Sequence, residues 1–152
     1  EDTALRVTIA NDSTGLVSVD DNGGSLTIDG NVGTLPLTSG GLSAAIFLSD
    51  GATKAGVVKA SAGQLYGVSF GNTNAAACYV RLYNMTTNPA TSDTPVYRFM
   101  VPGNTAGSGR EKVWNHGMAF STGIAYRTTT GSTDANDTAT ATGEVTANFD
   151  YK

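Results

Sequence analysis

Apolar and polar residues alternate with a period of two in several short stretches, the spacing that gives a β-strand one buried and one open face. The pattern is clearest at the C-terminus, where Val145, Ala147, Phe149 and Tyr151 alternate with Thr146, Asn148, Asp150 and Lys152. Leu5-Arg6-Val7-Thr8-Ile9 and Tyr66-Gly67-Val68-Ser69-Phe70 carry it too. So does the stretch in which Ala76, Cys78, Val80 and Leu82 interleave with Ala77, Tyr79, Arg81 and Tyr83. A short helix through Ala75, Ala76 and Ala77 competes there, but strand is the better reading. Further strands are predicted at residues 44–48, 57–60, 96–101, 118–120 and 124–128. Asp50-Gly51, Ala62-Gly63, Gly71-Asn72, Asn88-Pro89, Pro102-Gly103 and Thr122-Gly123 mark turns between them. Gly or Pro interrupts nearly every stretch long enough for a helix, apart from 1–14, 72–88 and the polar run 132–142. Many short strands separated by turns predict an all-β fold, a β-sandwich with jelly-roll or Greek-key connections.

The first forty residues read differently. Asp20-Asp21-Asn22-Gly23-Gly24 and Thr38-Ser39-Gly40-Gly41 bracket two short apolar pieces, Ser25-Leu26-Thr27-Ile28 and Leu35-Pro36-Leu37. These hold too little apolar surface for a core of their own, and Pro36 argues against a central strand. Residues 1–41 are therefore predicted as an extended N-terminal arm with short strands, and 42–152 as the sandwich domain. A chain of 152 residues suits one domain plus such an arm.

Composition agrees with strands and tight turns: 19 glycines, and a charged fraction of 14% against a usual ~25%. Nine basic and thirteen acidic residues give a net charge of −4, with no basic stripe, which disfavours a nucleic-acid partner. The one close basic cluster, Arg110 and Lys112, has Glu111 between its members and reads as a solvated loop. No uninterrupted apolar run approaches membrane-spanning length and no signal-like segment precedes the body, so no membrane partner is expected.

Catalytic chemistry finds little to build on. Cys78 is the only cysteine, which excludes an intrachain disulfide; it reads as a small core hydrophobe, with a reactive thiol as the lesser alternative. His116 is the only histidine, in Trp114-Asn115-His116-Gly117-Met118, and is expected in a loop or on a sheet edge. A Cys78–His116 dyad has no local signature behind it, and no nucleophile elbow is present. A glycosidase needs two carboxylates held across a cleft, whereas Asp20, Asp21, Asp134 and Asp137 all fall in turn-rich stretches. Asp134-Ala135-Asn136-Asp137 can offer oxygens to Ca²⁺, but lacks the EF-hand order. No Walker loop exists, and Gly107-Ser108-Gly109 lacks the context of a dinucleotide site. The triplets Asn11-Asp12-Ser13, Asn84-Met85-Thr86 and Asn136-Asp137-Thr138 match a glycosylation sequon without deciding anything. No catalytic residue, cofactor or metal is expected, and the chain does not read as an enzyme.

Aromatics are more informative. Tyr79, Arg81 and Tyr83 share one strand face, opposite Cys78, Val80 and Leu82. An outward row of Tyr and Arg suits a subunit or ligand interface, and equally a partly covered sheet face within one subunit. Trp114 is a further aromatic candidate for such an interface.

An ordered set of motifs then carries a family likeness. Val58-Lys59-Ala60-Ser61-Ala62-Gly63-Gln64-Leu65-Tyr66-Gly67-Val68 is followed by Asn72-Thr73-Asn74-Ala75-Ala76 and Tyr79-Val80-Arg81-Leu82-Tyr83-Asn84. Asp93-Thr94-Pro95-Val96, Val101-Pro102-Gly103 and Gly117-Met118-Ala119-Phe120-Ser121-Thr122-Gly123-Ile124-Ala125-Tyr126 complete it. This set resembles a β-sandwich module of tailed-bacteriophage virion proteins, across most of residues 57–151. Asp21-Asn22-Gly23-Gly24-Ser25-Leu26-Thr27-Ile28-Asp29-Gly30 resembles the linker that often precedes such modules.

The resemblance implies a structural role without catalytic residues, and a homo-oligomer, a trimer. A short arm and a single module, without a long repetitive shaft, favour a capsid decoration (cement) protein over a fibre. Its expected partners are the major capsid protein and further copies of itself. Its expected place is the capsid surface of the virion, after synthesis in the host bacterial cytoplasm. The arm would contact shell or neighbouring subunit through Leu5, Val7, Ile9, Leu26 and Ile28, because exposed strand edges pair readily. The alternative is a head-fibre or tail adhesin that binds host-surface glycan through loop aromatics such as Trp114 and Tyr97.

Overall fold

The computed structural model describes residues 41–152, which form eight β-strands and no helix. In chain order these are β1 (Ser43–Leu48), β2 (Ala55–Lys59), β3 (Gly63–Asn72), β4 (Cys78–Asn84), β5 (Tyr97–Val101), β6 (Ser108–Phe120), β7 (Ile124–Thr129) and β8 (Val145–Tyr151). The predicted arm, with Leu5, Val7, Ile9, Leu26 and Ile28, lies outside the described residues.

Pairing follows one nested plan. β4 pairs with β5, β3 with β6, β2 with β7 and β1 with β8, all antiparallel. Rolling that long nested hairpin brings β3 against β8 and β4 against β7. The result is two four-stranded sheets: sheet I in the order β1-β8-β3-β6, and sheet II in the order β2-β7-β4-β5. Eight antiparallel strands so divided form a jelly roll, within the sandwich class the alternation predicts.

The period of two explains which side each strand buries. In β8, Val145, Ala147 and Phe149 are fully buried while Thr146, Asn148 and Asp150 are exposed. Rings then bridge the two sheets. Phe70 on β3 meets Phe99 on β5 at 4.9 Å between centroids, and Phe47 on β1 meets Tyr126 on β7 at 5.3 Å. Tyr126 also stacks on Phe149 at 5.1 Å. Each buried ring contributes roughly 1.5–3 kcal/mol by leaving water, so this seam holds the sheets together without a disulfide.

Three local expectations need correction. β6 runs over thirteen residues rather than three, and Arg110, Glu111 and Lys112 lie within it, not in a loop. Residues 109–113 of β6 are all exposed, so this polar stretch shows no alternation. Gly71-Asn72 ends β3 rather than forming a turn, because the chain turns two residues later. There Asn72 Oδ1 accepts from Asn74 N–H at 2.9 Å and Asn74 Oδ1 from Ala76 N–H at 2.8 Å, successive Asx turns that pre-empt a helix.

Candidate functional site

Sheet II carries a row of three arginines on its outer face. Arg127 of β7, Arg81 of β4 and Arg98 of β5 are register neighbours, and Arg81 and Arg127 are 1% and 2% exposed. Buried guanidinium groups must find acceptors. The polar run after β7 provides them by folding across the sheet. Arg81 Nη2 donates to the carbonyls of Gly131 and Thr133 at 2.8 and 2.6 Å, Nη1 to Thr129 Oγ1 at 2.8 Å, and Nε to Asp134 at 3.1 Å. Arg127 Nη2 donates to the Asn136 carbonyl at 3.0 Å and to Asp137 at 2.8 Å. Arg98 also bonds Asp134, and Lys54 bonds Asp137.

The carboxyls respond to these partners. The Arg98 hydrogen bond, with that of Arg81, holds Asp134 down to about 2. Lys54, with Arg127 behind it, lowers Asp137. The Asp134–Asp137 stretch is therefore occupied by cationic side chains of its own chain. Among the described residues, no group of three or more His, Cys, Asp or Glu side chains could hold a metal.

The expected outward row of Tyr79, Arg81 and Tyr83 is accordingly covered. Tyr83 is 1% exposed, and burial pushes its phenol up against the pull of Arg127 and Arg81. Only Tyr79 stays half-open, with the Arg81 guanidinium 5.9 Å from its ring centre. Period two identified the correct side of β4 but not the loop that lies over it.

Trp114 and Tyr97 sit on strands rather than loops, at the mouth where the edges β5 and β6 approach. Trp114 is half-buried and meets Tyr97 edge-on at 5.7 Å and Phe99 at 6.4 Å. Lys112 Nζ lies 5.9 Å from the Trp114 ring centre. Cys78 is 2% exposed, with its thiol pushed up to about 11 by burial, while His116 is exposed on β6 in the other sheet. That thiol is protonated at neutral pH and is a packing group.

The outer face of sheet I is the surface that the sequence reading missed. Its twelve central positions fall into three rows: Ala44–Asp150–Gly67–Val113, Ile46–Asn148–Ser69–Glu111 and Leu48–Thr146–Gly71–Gly109. Only Glu111 and Asp150 are charged. Ile46 is 78% exposed and Leu48 and Val113 are each 58% exposed, with Leu42 beside them at 53%. The signal was present in β1, where residues 44–48 contain no polar side chain to mark an open face. At one end, Trp114-Asn115-His116-Gly117 of β6 stands opposite Tyr66 alone, a bulge whose Gly117 adopts φ +74°. A cleft of about 240 Å³ opens there, lined by Leu42, Tyr66, Gly67, Trp114, Asn115 and Asp150.

No protein-family model, curated protein or solved structure matches this chain.

Proposed function

We propose that this chain is a phage virion structural protein, a capsid decoration (cement) protein that binds and stabilises the head shell. The observation that carries the reading is the outer face of sheet I, where exposed Ile46, Leu48, Val113 and Leu42 surround an almost uncharged lane. Exposed aliphatic side chains at both edges of a lane of small and uncharged polar residues, with only two charges, suit a protein-contact surface. The motif resemblance supplies the setting, the major capsid protein as partner on the virion surface. The role is mechanical and non-enzymatic: many copies on a symmetric shell clamp adjacent subunits, and multivalency makes each weak contact count. The arm adds a second attachment through Leu5, Val7, Ile9, Leu26 and Ile28.

The rival reading, a host-glycan adhesin, has less behind it. Trp114 and Tyr97, the aromatics it would use, pack on each other and on Phe99. Copy number in purified virions, by quantitative mass spectrometry against the major capsid protein, separates the two. A ratio near the shell's stoichiometry is expected, a handful of copies places the chain on a fibre or tail, and absence from the particle overturns both. Deleting residues 1–30 is expected to abolish particle binding and leave the sandwich folded.

A further inference from the structure

The two outer faces of the sandwich differ in kind. That of sheet I is aliphatic and nearly uncharged, whereas that of sheet II carries the arginine row under its covering loop. The cover ends short of β5. Alternation turns Arg98 and Met100 outward there, opposite Arg81 and Tyr79 of β4, and both are about half-exposed. A cleft of about 230 Å³ opens beside them, lined by Tyr79, Arg81, Arg98, Phe99, Met100 and, from the covering loop, Ser132.

Two kinds of group meet in that cleft. Tyr79, Phe99 and Met100 provide apolar wall, and since a cavity of ~150 Å³ already accepts benzene, the volume suits a single ring. Arg98 provides a donor. A guanidinium offers N–H groups along more than one edge. Arg98 Nε and Nη2 hold Asp134, while Nη1 has no hydrogen-bond partner among the described residues. Arg81, by contrast, donates from all three of its nitrogens within its own chain. Both arginines share Asp134, so two guanidinium groups meet one carboxylate and one positive charge is left over. An exposed guanidinium edge with an uncompensated charge matches a carboxylate in both geometry and sign.

We propose that this cleft binds a ligand made of one aromatic ring and a nearby carboxylate, the ring against Tyr79 and Met100 and the carboxylate on Arg98 Nη1. A free aromatic acid or a chain terminus presents that chemistry, and so does an acidic residue beside an aromatic one within a protein segment. A neutral ring would gain the apolar contact alone, and a small anion only a solvent-screened charge contact, so the site selects for the two together. The inference goes beyond the shell attachment and does not depend on it. It concerns the opposite outer face, which seating through sheet I leaves open.

The test is titration of the isotope-labelled full chain, followed by amide chemical shifts, with three probes: N-acetylphenylalanine, its uncharged amide, and the blocked peptide acetyl-Ala-Phe-Asp-Ala-amide. N-acetylphenylalanine is expected to shift the amides of Tyr79, Arg98, Phe99, Met100 and Ser132 with a Kd on the order of 1 mM, the affinity open to a ligand of its size. The uncharged amide is expected to bind about fivefold more weakly. Arg98→Gln should remove that difference, and Asp134 keeps its bond to Arg81 in this variant, so the covering loop retains an anchor. Met100→Glu should abolish binding of N-acetylphenylalanine, with circular dichroism confirming that each variant folds. Tighter binding of the blocked peptide than of N-acetylphenylalanine assigns the site to a protein segment, and the reverse order assigns it to a free acid or a chain terminus. The proposal is overturned if no probe shifts these amides, or if N-acetylphenylalanine and its amide bind the wild type alike, a comparison that needs no variant. It is equally overturned if Arg98→Gln leaves the difference between them intact.

Discussion

Arg81 and Arg127 stand directly opposite each other on β4 and β7, both almost wholly buried. Like charges in register normally destabilise a sheet. They are tolerated here because the residues after β7 turn their carbonyl oxygens and two carboxylates onto the guanidinium groups. The arginines thus hold the covering loop, and the loop supplies the acceptors that their burial requires.

Arg81→Ala is expected to destabilise the domain by about 2–3 kcal/mol, read by urea denaturation. It removes the Arg81 donor from the Gly131 and Thr133 carbonyls, of which Gly131 keeps only the longer Thr129 Oγ1 contact, and leaves a cavity. The value falls below that usual for a broken buried pair because Asp134, the group left behind, is 35% exposed and can be solvated. Arg81→Lys should recover little, since a lysine lacks the fork that reaches several acceptors at once.

The same cluster sets an acid limit. Asp134 titrates at about 2 in the folded chain against an ordinary 3.8, so its contribution is fully present above the ordinary value and is lost as pH falls toward 2. The Tm of the wild type should drop across that window. Asp134→Asn should have a lower Tm at neutral pH and a flatter profile, with the gap closing near pH 2. A gap that persists unchanged at that pH would show that charge at Asp134 does not hold the loop.

What the sequence made legible follows from how each strand is buried. β8 was readable because one face is core and the other open. β6 is not, since its residues 109–113 are exposed throughout and a bulge interrupts its register with β3. Alternation puts Arg81 on the outer side of β4, but it pairs no arginine of β5 or β7 with it, and the loop that covers the row is an unpatterned Thr-, Asn- and Asp-rich run with no periodic signal. The sheet I face escaped notice because Ile46 and Leu48 look like core residues until β1 is seen at the edge of its sheet.

Asn72 joins two loops and should be intolerant of change. It is fully buried, and its Nδ2 donates to the carbonyls of Ala76 and Pro102 at 3.0 and 3.1 Å. Asn72→Ala removes the donor to the Ala76 carbonyl and the acceptor of the Asn74 N–H, while the Pro102 carbonyl keeps Ser108 Oγ, an expected loss of about 2–3 kcal/mol by chemical denaturation. Gly103→Ala strikes the same junction, because its Cβ would fall 2.4 Å from the backbone of Ala75 and Ala76. Two lesions at one junction should combine to less than their sum, which a double-mutant cycle would measure.

Trp114 closes the mouth between β5 and β6, so its first role is packing. Being half-buried, it should lose about 2–3 kcal/mol on truncation to Ala, less than a fully buried ring would. Trp114→Phe should recover most of this by keeping an aromatic edge against Tyr97 and Phe99. Thermal unfolding followed by circular dichroism measures both variants. The chain has one tryptophan, so wild-type fluorescence reports this mouth alone, and its red shift should coincide with global unfolding. An earlier shift would mean that the mouth opens independently of the core. Glycan recognition through Trp114 would then regain support, because a ring released before unfolding has a free face to offer a sugar.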